Sequence, residues 1–112
     1  ELTDFMFHHC YNLKNVEIPD TITEIPYGAF YGCTKLASVK LPANLKKIDA
    51  TAFISCVNLT EIKIPPTVKE IGRSAFKNCR RLETVNMTSS EDMVIHKSAF
   101  KDTPYAKTKD TK

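Results

Sequence analysis

Residues 59–79 read LTEIKIPPTVKEIGRSAFKNC, and this stretch decides the fold because it recurs along the chain. The matching stretches 36–56 and 13–33 read LASVKLPANLKKIDATAFISC and LKNVEIPDTITEIPYGAFYGC. The three copies are 23 residues apart and share the pattern L-x-x-[VI]-x-[IL]-P-x-x-[ILV]-x-x-I-x-x-x-A-F-x-x-C. A fixed period of this length predicts an array of stacked repeats, in which each apolar column becomes a continuous internal ridge.

The period accounts for most of the 112 residues. The copies are a partial repeat 1–10, complete repeats 11–33, 34–56 and 57–79, and a degenerate repeat 80–103. We therefore predict one repeat domain over 1–105, followed by a polar, Lys-rich tail over 106–112. The charged fraction of 26% and the hydrophobic fraction of 42% are close to average soluble composition, which excludes disordered, collagen-like and coiled-coil chains.

Each repeat contains two local patterns. Val16-Glu17-Ile18 and its equivalents alternate apolar and polar residues, as a strand does. The proline that follows has no N–H for a ladder and ends the strand. In Ala29-Phe30-x-x-Cys33 the apolar residues share one face of a helical turn, so we predict a short helical or 3₁₀ segment there. Around Ile25, Ile48 and Ile71 we expect a less regular extended piece.

These motifs resemble the BspA-like leucine-rich repeat family over residues 1 to about 105. The segments that carry the resemblance are Leu36-x-x-Val39-x-Leu41-Pro42, Leu59-x-x-Ile62-x-Ile64-Pro65 and Ile71-Gly72-x-x-Ala75-Phe76-x-x-Cys79. The resemblance implies an α/β fold class: a right-handed solenoid with a short parallel β-sheet on its concave face and short helical or 3₁₀ turns on its convex side. The asparagine column typical of leucine-rich repeats is mostly missing, because its place holds Thr21, Asn44 and Thr67.

The same resemblance implies a non-enzymatic binding module, displayed extracellularly or on the cell surface, whose partner is a host, matrix or other surface protein. This functional expectation is an analogy, because one fold serves many partners. A different class of function, a structural spacer that presents another domain, also fits a repeat array. The spacer predicts that only deletion of whole repeats matters.

The two ends of the array differ. Thr88 replaces the proline, Ser89, Ser90, Glu91 and Asp92 follow, and Thr103 takes the cysteine place, so the last repeat is predicted to be a C-terminal cap. Residues 1–10 align with the second half of a repeat. We therefore expect the chain to be a fragment of a longer surface protein.

Four cysteines, Cys10, Cys33, Cys56 and Cys79, form one column of the repeat. A spacing of 23 with no second Cys or His column argues against a zinc site. Disulfides between adjacent coils are within reach by Cα distance, but in-register side chains rarely reach the torsion that a disulfide needs. Buried free thiols that act as small hydrophobes are the favoured interpretation.

No catalytic, metal or cofactor site is predicted. His9 and Cys10 are neighbours, yet if Cys10 faces the core then His9 faces outward, and His8-His9 fits surface histidines better. The adjacent acids Glu91 and Asp92 are interpreted as solvated charges rather than as an acid/base pair. The chain lacks the roughly 18 consecutive apolar residues that a membrane span needs, and its bases are not interleaved with exposed aromatics, so neither membrane insertion nor a nucleic-acid partner is expected.

The concave sheet is the candidate site, because solenoids present an extended surface there. Its predicted partner-binding residues are the outward positions of the four strands, namely Asn15, Glu17, Ser38, Lys40, Glu61, Lys63, Thr84 and Asn86. The alternative is that these positions are polar only because water touches them. Two N-x-[ST] sequons occur, at Asn58 and Asn86, and a glycan on Asn86 would interfere with binding at this face.

Charge is uneven along the chain. Residues 1–25 contain five acids and one base, a net charge of −4, while 26–112 contain fifteen bases and eight acids, a net charge of +7; the sum is +3. This asymmetry fits a solvated surface, and the alternative is a field that steers an acidic partner.

Overall fold

The chain folds into a parallel-strand β-solenoid of the leucine-rich repeat type. The computed structural model describes residues 2–87 and 92–106. Its strands are β1 (Asn15–Glu17), β2 (Glu24–Ile25), β3 (Ser38–Lys40), β4 (Lys47–Ile48), β5 (Glu61–Lys63), β6 (Glu70–Ile71), β7 (Thr84–Asn86) and β8 (Val94–Ile95). The expectations for residues 88–91 and for the tail 107–112 fall outside the described residues.

The strands pair in parallel between successive coils, as the period predicts. β1 pairs with β3 and places Val16 opposite Val39, a shift of one 23-residue repeat. β5 pairs with β7 in the same way and places Ile62 opposite Val85. The predicted sheet is not continuous, however, because these four strands form two separate two-stranded sheets.

The continuous sheet lies elsewhere in each coil. β2, β4, β6 and β8 form one four-stranded sheet. Sequence analysis predicted a less regular extended piece here; the extended backbone is confirmed, and the expected irregularity is wrong, because the strands pair in regular register. The side chains of Ile25, Ile48 and Ile71 are fully buried in register, and Gly72 N–H donates to Ile48 O at 2.8 Å. A two-residue strand has too few residues for a period-2 pattern, so its sequence gives no strand signal.

The predicted helical or 3₁₀ segments are not confirmed, and neither is the α/β class. The described residues contain one helix, of three residues, at 104–106. The segments that were predicted to be helical are instead consecutive turns. Along each segment, successive N–H groups donate alternately to a carbonyl of their own coil and to a carbonyl of the next coil. Ala52 N–H donates within its own coil to Asp49 O at 3.3 Å, whereas Phe53 N–H donates to Ala75 O of the next coil at 2.7 Å. A helix would keep both bonds within the segment, so stacking of coils replaces helix formation.

Left-handed residues produce this alternation. Thr51 and Ser55 have φ values of 56° and 62°, and their equivalents Ser74 and Asn78 have 56° and 63°. A non-glycine residue at such φ is uncommon and ends a right-handed helical turn. The A-F-x-x-C pattern shows which side chains are buried, but it carries no sign of the positive φ on either side.

The core is built on a stack of phenylalanine rings, as predicted. The centroids of the Phe30 and Phe53 rings lie 5.2 Å apart with planes 3° from parallel, and the Phe53–Phe76 pair has the same 5.2 Å spacing. All three side chains are at most 1% exposed. Phe7 and Phe100 extend the stack at its two ends.

The cysteine column runs beside the phenylalanine stack. Cys33, Cys56 and Cys79 are buried free thiols, which confirms the favoured interpretation for these three, and Cys10 is half-buried. Each buried Sγ donates to a phenylalanine carbonyl of the preceding coil at 3.0–3.2 Å; for Cys56 the acceptor is Phe30 O. Burial raises the pKa of the Cys79 thiol to about 12, so it stays protonated and inert at neutral pH.

The last coil replaces the thiol with a hydroxyl. Thr103 is 1% exposed, and its Oγ1 donates to Phe100 O at 2.6 Å and accepts a bond from Ala106 N–H at 3.0 Å. The Tyr105 ring meets Phe100 edge-on at 5.1 Å. Tyr105 therefore covers the end of the ring stack at the C-terminal edge.

Candidate functional site

The outward positions of β1, β3, β5 and β7 form a polar surface that we call the strand face. In each three-residue strand the first and third side chains are exposed, while the middle one is buried or half-buried. The strand face therefore contains all eight predicted residues: Asn15, Glu17, Ser38, Lys40, Glu61, Lys63, Thr84 and Asn86. Their exposure agrees with the sequence, and their role in binding stays a prediction.

Cross-coil contacts join the strand face within each paired sheet. Between β1 and β3, Ser38 Oγ donates to Asn15 Oδ1 at 2.6 Å, and Lys40 Nζ lies 3.8 Å from a Glu17 carboxylate oxygen. The ion pair is about three-quarters exposed on both sides, so it contributes little to stability. Between β5 and β7, Asn86 Nδ2 donates to Glu61 Oε2 at 3.1 Å.

The strand face is interrupted between β3 and β5. Ile18 N–H donates to Lys40 O at 3.1 Å and Ile64 N–H donates to Asn86 O at 2.8 Å, but no equivalent bond from Leu41 N–H occurs in the described structure. The 23-residue register would place Lys40 directly opposite Lys63. Like charges in that position destabilise a strand pair, which gives a physical reason for the gap.

A groove of about 900 Å³ lies along this interruption. Its polar lining includes five of the predicted residues, which are Ser38, Lys40, Glu61, Lys63 and Asn86. Its apolar lining includes Val39, Leu41, Ile64, Val85 and Met87. The groove thus combines apolar surface with a few convergent polar groups, as ligand-binding surfaces do. Sequence analysis did not predict it, because a missing strand pair leaves no mark in the repeat pattern.

The remaining predicted groups are placed apart from this groove. His8 and His9 are exposed, as expected, and Nδ1 of His8 lies 2.9 Å from Phe5 O. Among the described residues no group of three or more His, Cys, Asp or Glu side chains could hold a metal ion. None of the helical segments in the described ranges has the length and hydropathy that crossing a membrane requires. Asn86, in the second sequon, is exposed on the strand face.

Sequence analysis also missed a cluster of aromatic rings on the first two coils. Phe5 meets Tyr27 edge-on at 5.1 Å, and His9 meets Tyr31 edge-on at 5.5 Å. The signal that could have found it is the pair of glycines in the next coil. Gly28 and Gly32 align with Phe5 and His9, and a Cβ at either glycine would overlap the ring above it.

Comparison with known families and structures supports the repeat assignment. A family model described as the BspA type leucine rich repeat region matches residues 1–110 in six copies. No curated protein matches the sequence significantly.

Solved bacterial structures are similar to this chain. A leucine rich repeat protein from T. pallidum is 38% identical over 70% of this chain and 37% of its own, with a TM-score of 0.70. A leucine rich cell surface protein from Faecalibacterium prausnitzii is 39% identical over 75% of this chain and 22% of its own, with a TM-score of 0.71. A leucine-rich repeat protein from Bacteroides capillosus is 36% identical over 77% and 61%, with a TM-score of 0.68. This chain therefore spans less than two thirds of each of these relatives.

Proposed function

Because this chain belongs to the BspA-type leucine-rich repeat family, we propose that it is a non-enzymatic protein-binding module whose partner contacts the strand face. The observation that carries the proposal is the groove between β3 and β5, where five outward side chains lie beside half-buried apolar side chains such as Val39, Val85 and Met87. The partner surface is expected to contribute apolar side chains at the centre and hydrogen-bonding groups at the rim.

The placement of charges supports a partner that contributes a carboxylate. Lys63 makes no ion pair in residues 2–87 and 92–106, and Lys40 has only the long, exposed contact to Glu17. A carboxylate between the two ammonium groups would remove their mutual repulsion and gain a charge-assisted bond. The Glu61 carboxylate already accepts a hydrogen bond from Asn86. Lys40 and Lys63 therefore remain available in the groove to bind the carboxylate of a partner.

The resemblance to a leucine rich cell surface protein of Faecalibacterium prausnitzii supports an extracellular or cell-surface location, and adhesion is the biological role that we propose for a binding module placed there. A host or matrix protein is the class of partner that this location favours. No cofactor takes part in the proposed function.

The test is binding of the 112-residue chain to a panel of purified matrix proteins, with a triple variant Lys40→Glu, Glu61→Lys, Lys63→Glu. We expect the variant to lose about tenfold or more in affinity, because charges at a contact set specificity and dissociation. The control is Lys46→Glu, which makes the same change in net charge at an exposed lysine beside β4, in the other sheet. Unchanged binding by the triple variant would contradict the strand-face proposal and favour a structural spacer. Absence of binding to any panel member would contradict adhesion to matrix proteins.

A further inference from the structure

The turns of successive coils form a second ordered surface, outside the strand face. Two columns of side chains run along it, Tyr27, Ala50, Arg73 and Lys97 in one and Tyr31, Ile54, Lys77 and Lys101 in the other. Six of these residues are called the turn ladder: Tyr27, Tyr31, Ile54, Arg73, Lys77 and Lys101. Backbone bonds between coils fix the register. Gly32 N–H donates to Ile54 O at 2.8 Å, Ser55 N–H to Lys77 O at 2.8 Å, and Asn78 N–H to Lys101 O at 2.9 Å.

The chemistry of the turn ladder changes along the solenoid. The first coil of the turn ladder presents the aromatic residues Tyr27 and Tyr31, its second coil presents Ile54, and its last two coils present basic residues. Tyr27 is 42% exposed, and both Arg73 and Lys101 are exposed. One end of the surface is therefore apolar and aromatic, and the other end is cationic.

The bases of the turn ladder are Arg73, Lys77 and Lys101. They make no ion pair among the described residues, although the exposed acid Asp102 follows Lys101 in the chain. Residues 72–81 contain four bases and no acid, whereas the equivalent residues 49–58 of the preceding coil contain one acid and no base. Such a local excess of positive charge attracts an anionic partner.

The rings of the aromatic end contact rings of the preceding coil. The ring of Phe5 contacts Tyr27 and lies over Gly28, while the ring of His9 contacts Tyr31 and lies over Gly32. The backbone hydrogen bonds from Phe5 N–H to Tyr27 O at 3.0 Å and from His9 N–H to Tyr31 O at 2.7 Å fix the same residues. Aromatic side chains that lose little freedom on binding are effective anchors in protein interfaces.

We propose that the turn ladder binds an extended segment of another protein in which acidic residues lie at one end and apolar or aromatic residues at the other. Three steps between coils separate Tyr31 from Lys101, about 14 Å at the usual spacing of parallel strands. An extended peptide of four to five residues, at about 3.3 Å per residue, covers that distance. The acidic end would pair with Arg73 and Lys101, and the apolar end would contact Ile54 and Tyr31.

The gradient favours this partner over a uniform polyanion or an anionic membrane. A uniformly charged polymer or lipid surface would complement only the two basic coils and would leave the aromatic coil and Ile54 without a counterpart. A segment with an acidic half and an apolar half complements all four coils. This surface shares no residue with the strand face, so each proposal can fail while the other stands.

The test uses the 112-residue chain and a fluorescent eight-residue peptide with four acidic residues followed by four apolar ones. The variant Arg73→Glu/Lys101→Glu is compared with Lys14→Glu/Lys46→Glu, which makes the same change in net charge at exposed lysines outside both surfaces. We expect the first variant to weaken peptide binding about tenfold and the second to leave it nearly unchanged. Tyr27→Ser should weaken binding of the same peptide, while a scrambled peptide that alternates acidic and apolar residues should bind less well.

Three results would overturn the proposal. Equal binding of the peptide by the two double variants would show that only net charge matters. Binding of heparin, but not of the peptide, with loss in the Arg73→Glu/Lys101→Glu variant would make the surface a general polyanion site. Binding to phosphatidylserine vesicles with no binding of the peptide would make it a membrane-surface site.

Discussion

At the scale of single residues, the stability of this protein depends on side chains that meet their own equivalents in the next coil. Phe53 stacks on Phe30 at one side and on Phe76 at the other, and its side chain is fully buried. Cys56 Sγ donates to Phe30 O, which ties the two columns together. Because identical rings repeat at 5.2 Å, one substitution damages two interfaces at once.

We therefore predict that Phe53→Ala lowers the free energy of unfolding by about 3 to 5 kcal/mol, because it leaves a cavity in the middle of the stack. Chemical denaturation of both proteins measures the change. The control is Tyr11→Ala, which removes a ring that is 55% exposed and should cost less than about 1 kcal/mol. A loss of less than about 2 kcal/mol for Phe53→Ala would mean that the site collapses around the missing ring.

At the scale of elements, the two kinds of sheet differ in what holds them together. The four-stranded sheet of β2, β4, β6 and β8 is held by a column of buried isoleucines and includes the Lys47–Glu70 contact of 3.9 Å. The sheets of β1–β3 and β5–β7 have polar outer faces, and the pair β3–β5 is not formed. Outward charges can therefore decide whether two short strands pair.

We predict that Lys63→Glu restores pairing between β3 and β5, because it places an acid opposite Lys40. An opposite-charge cross-strand pair stabilises by roughly 0.2 to 1 kcal/mol, and the gain should shrink at high salt. The backbone N–H of Leu41 should also exchange its hydrogen more slowly, because it gains the backbone carbonyl of the substituted residue 63 as its acceptor. Lys35→Glu is the control, since it changes net charge equally at an exposed lysine. Equal stability of the two variants and unchanged exchange at Leu41 would show that charge does not cause the gap.

At the scale of the whole molecule, the solenoid is a one-dimensional array whose coils contact only their neighbours. Strand pairing connects equivalent residues that are 23 positions apart over most of the chain, and 24 apart between β6 and β8, where Ile71 lies opposite Ile95. The single inserted residue before β8 is absorbed outside the paired positions. The array therefore tolerates changes of length only where no column is interrupted.

We predict that deletion of residues 34–56, one full repeat, leaves a folded solenoid with cooperative unfolding and a lower free energy of unfolding, because one set of coil interfaces is lost. Deletion of 34–44 removes 11 residues, about half a repeat, and would set strands against turns of the neighbouring coil, so we expect loss of the folded state. Circular dichroism and thermal melting of the two deletions measure this difference. Equal folding of both would contradict a core that depends on the repeat register.

Much of the fold could be predicted from the sequence because burial is what the repeat pattern encodes. The columns of Phe30, Phe53 and Phe76 and the alternation around Val39 are properties of side chains, and they were sufficient to place the coils, the core and the three-residue strands, but not the two-residue strands of the four-stranded sheet. The turns could not be predicted, because the side-chain pattern carries no sign of the left-handed φ at Thr51 and Ser55, which accompanies hydrogen bonds to the next coil. For the candidate site, the exposed positions of the strands were predicted and the groove was not.

The sequence by itself determined that the chain is a stacked repeat array with an internal aromatic column, because periodic burial of apolar side chains depends only on their order along the chain. Only the tertiary structure decided where the coils pair and where they do not. Pairing depends on which groups lie opposite one another, such as Val16 and Val39, and on which carbonyl each N–H reaches. These interactions join residues that are 23 positions apart in the sequence, so they contribute to the free energy of folding only when the coils are in contact.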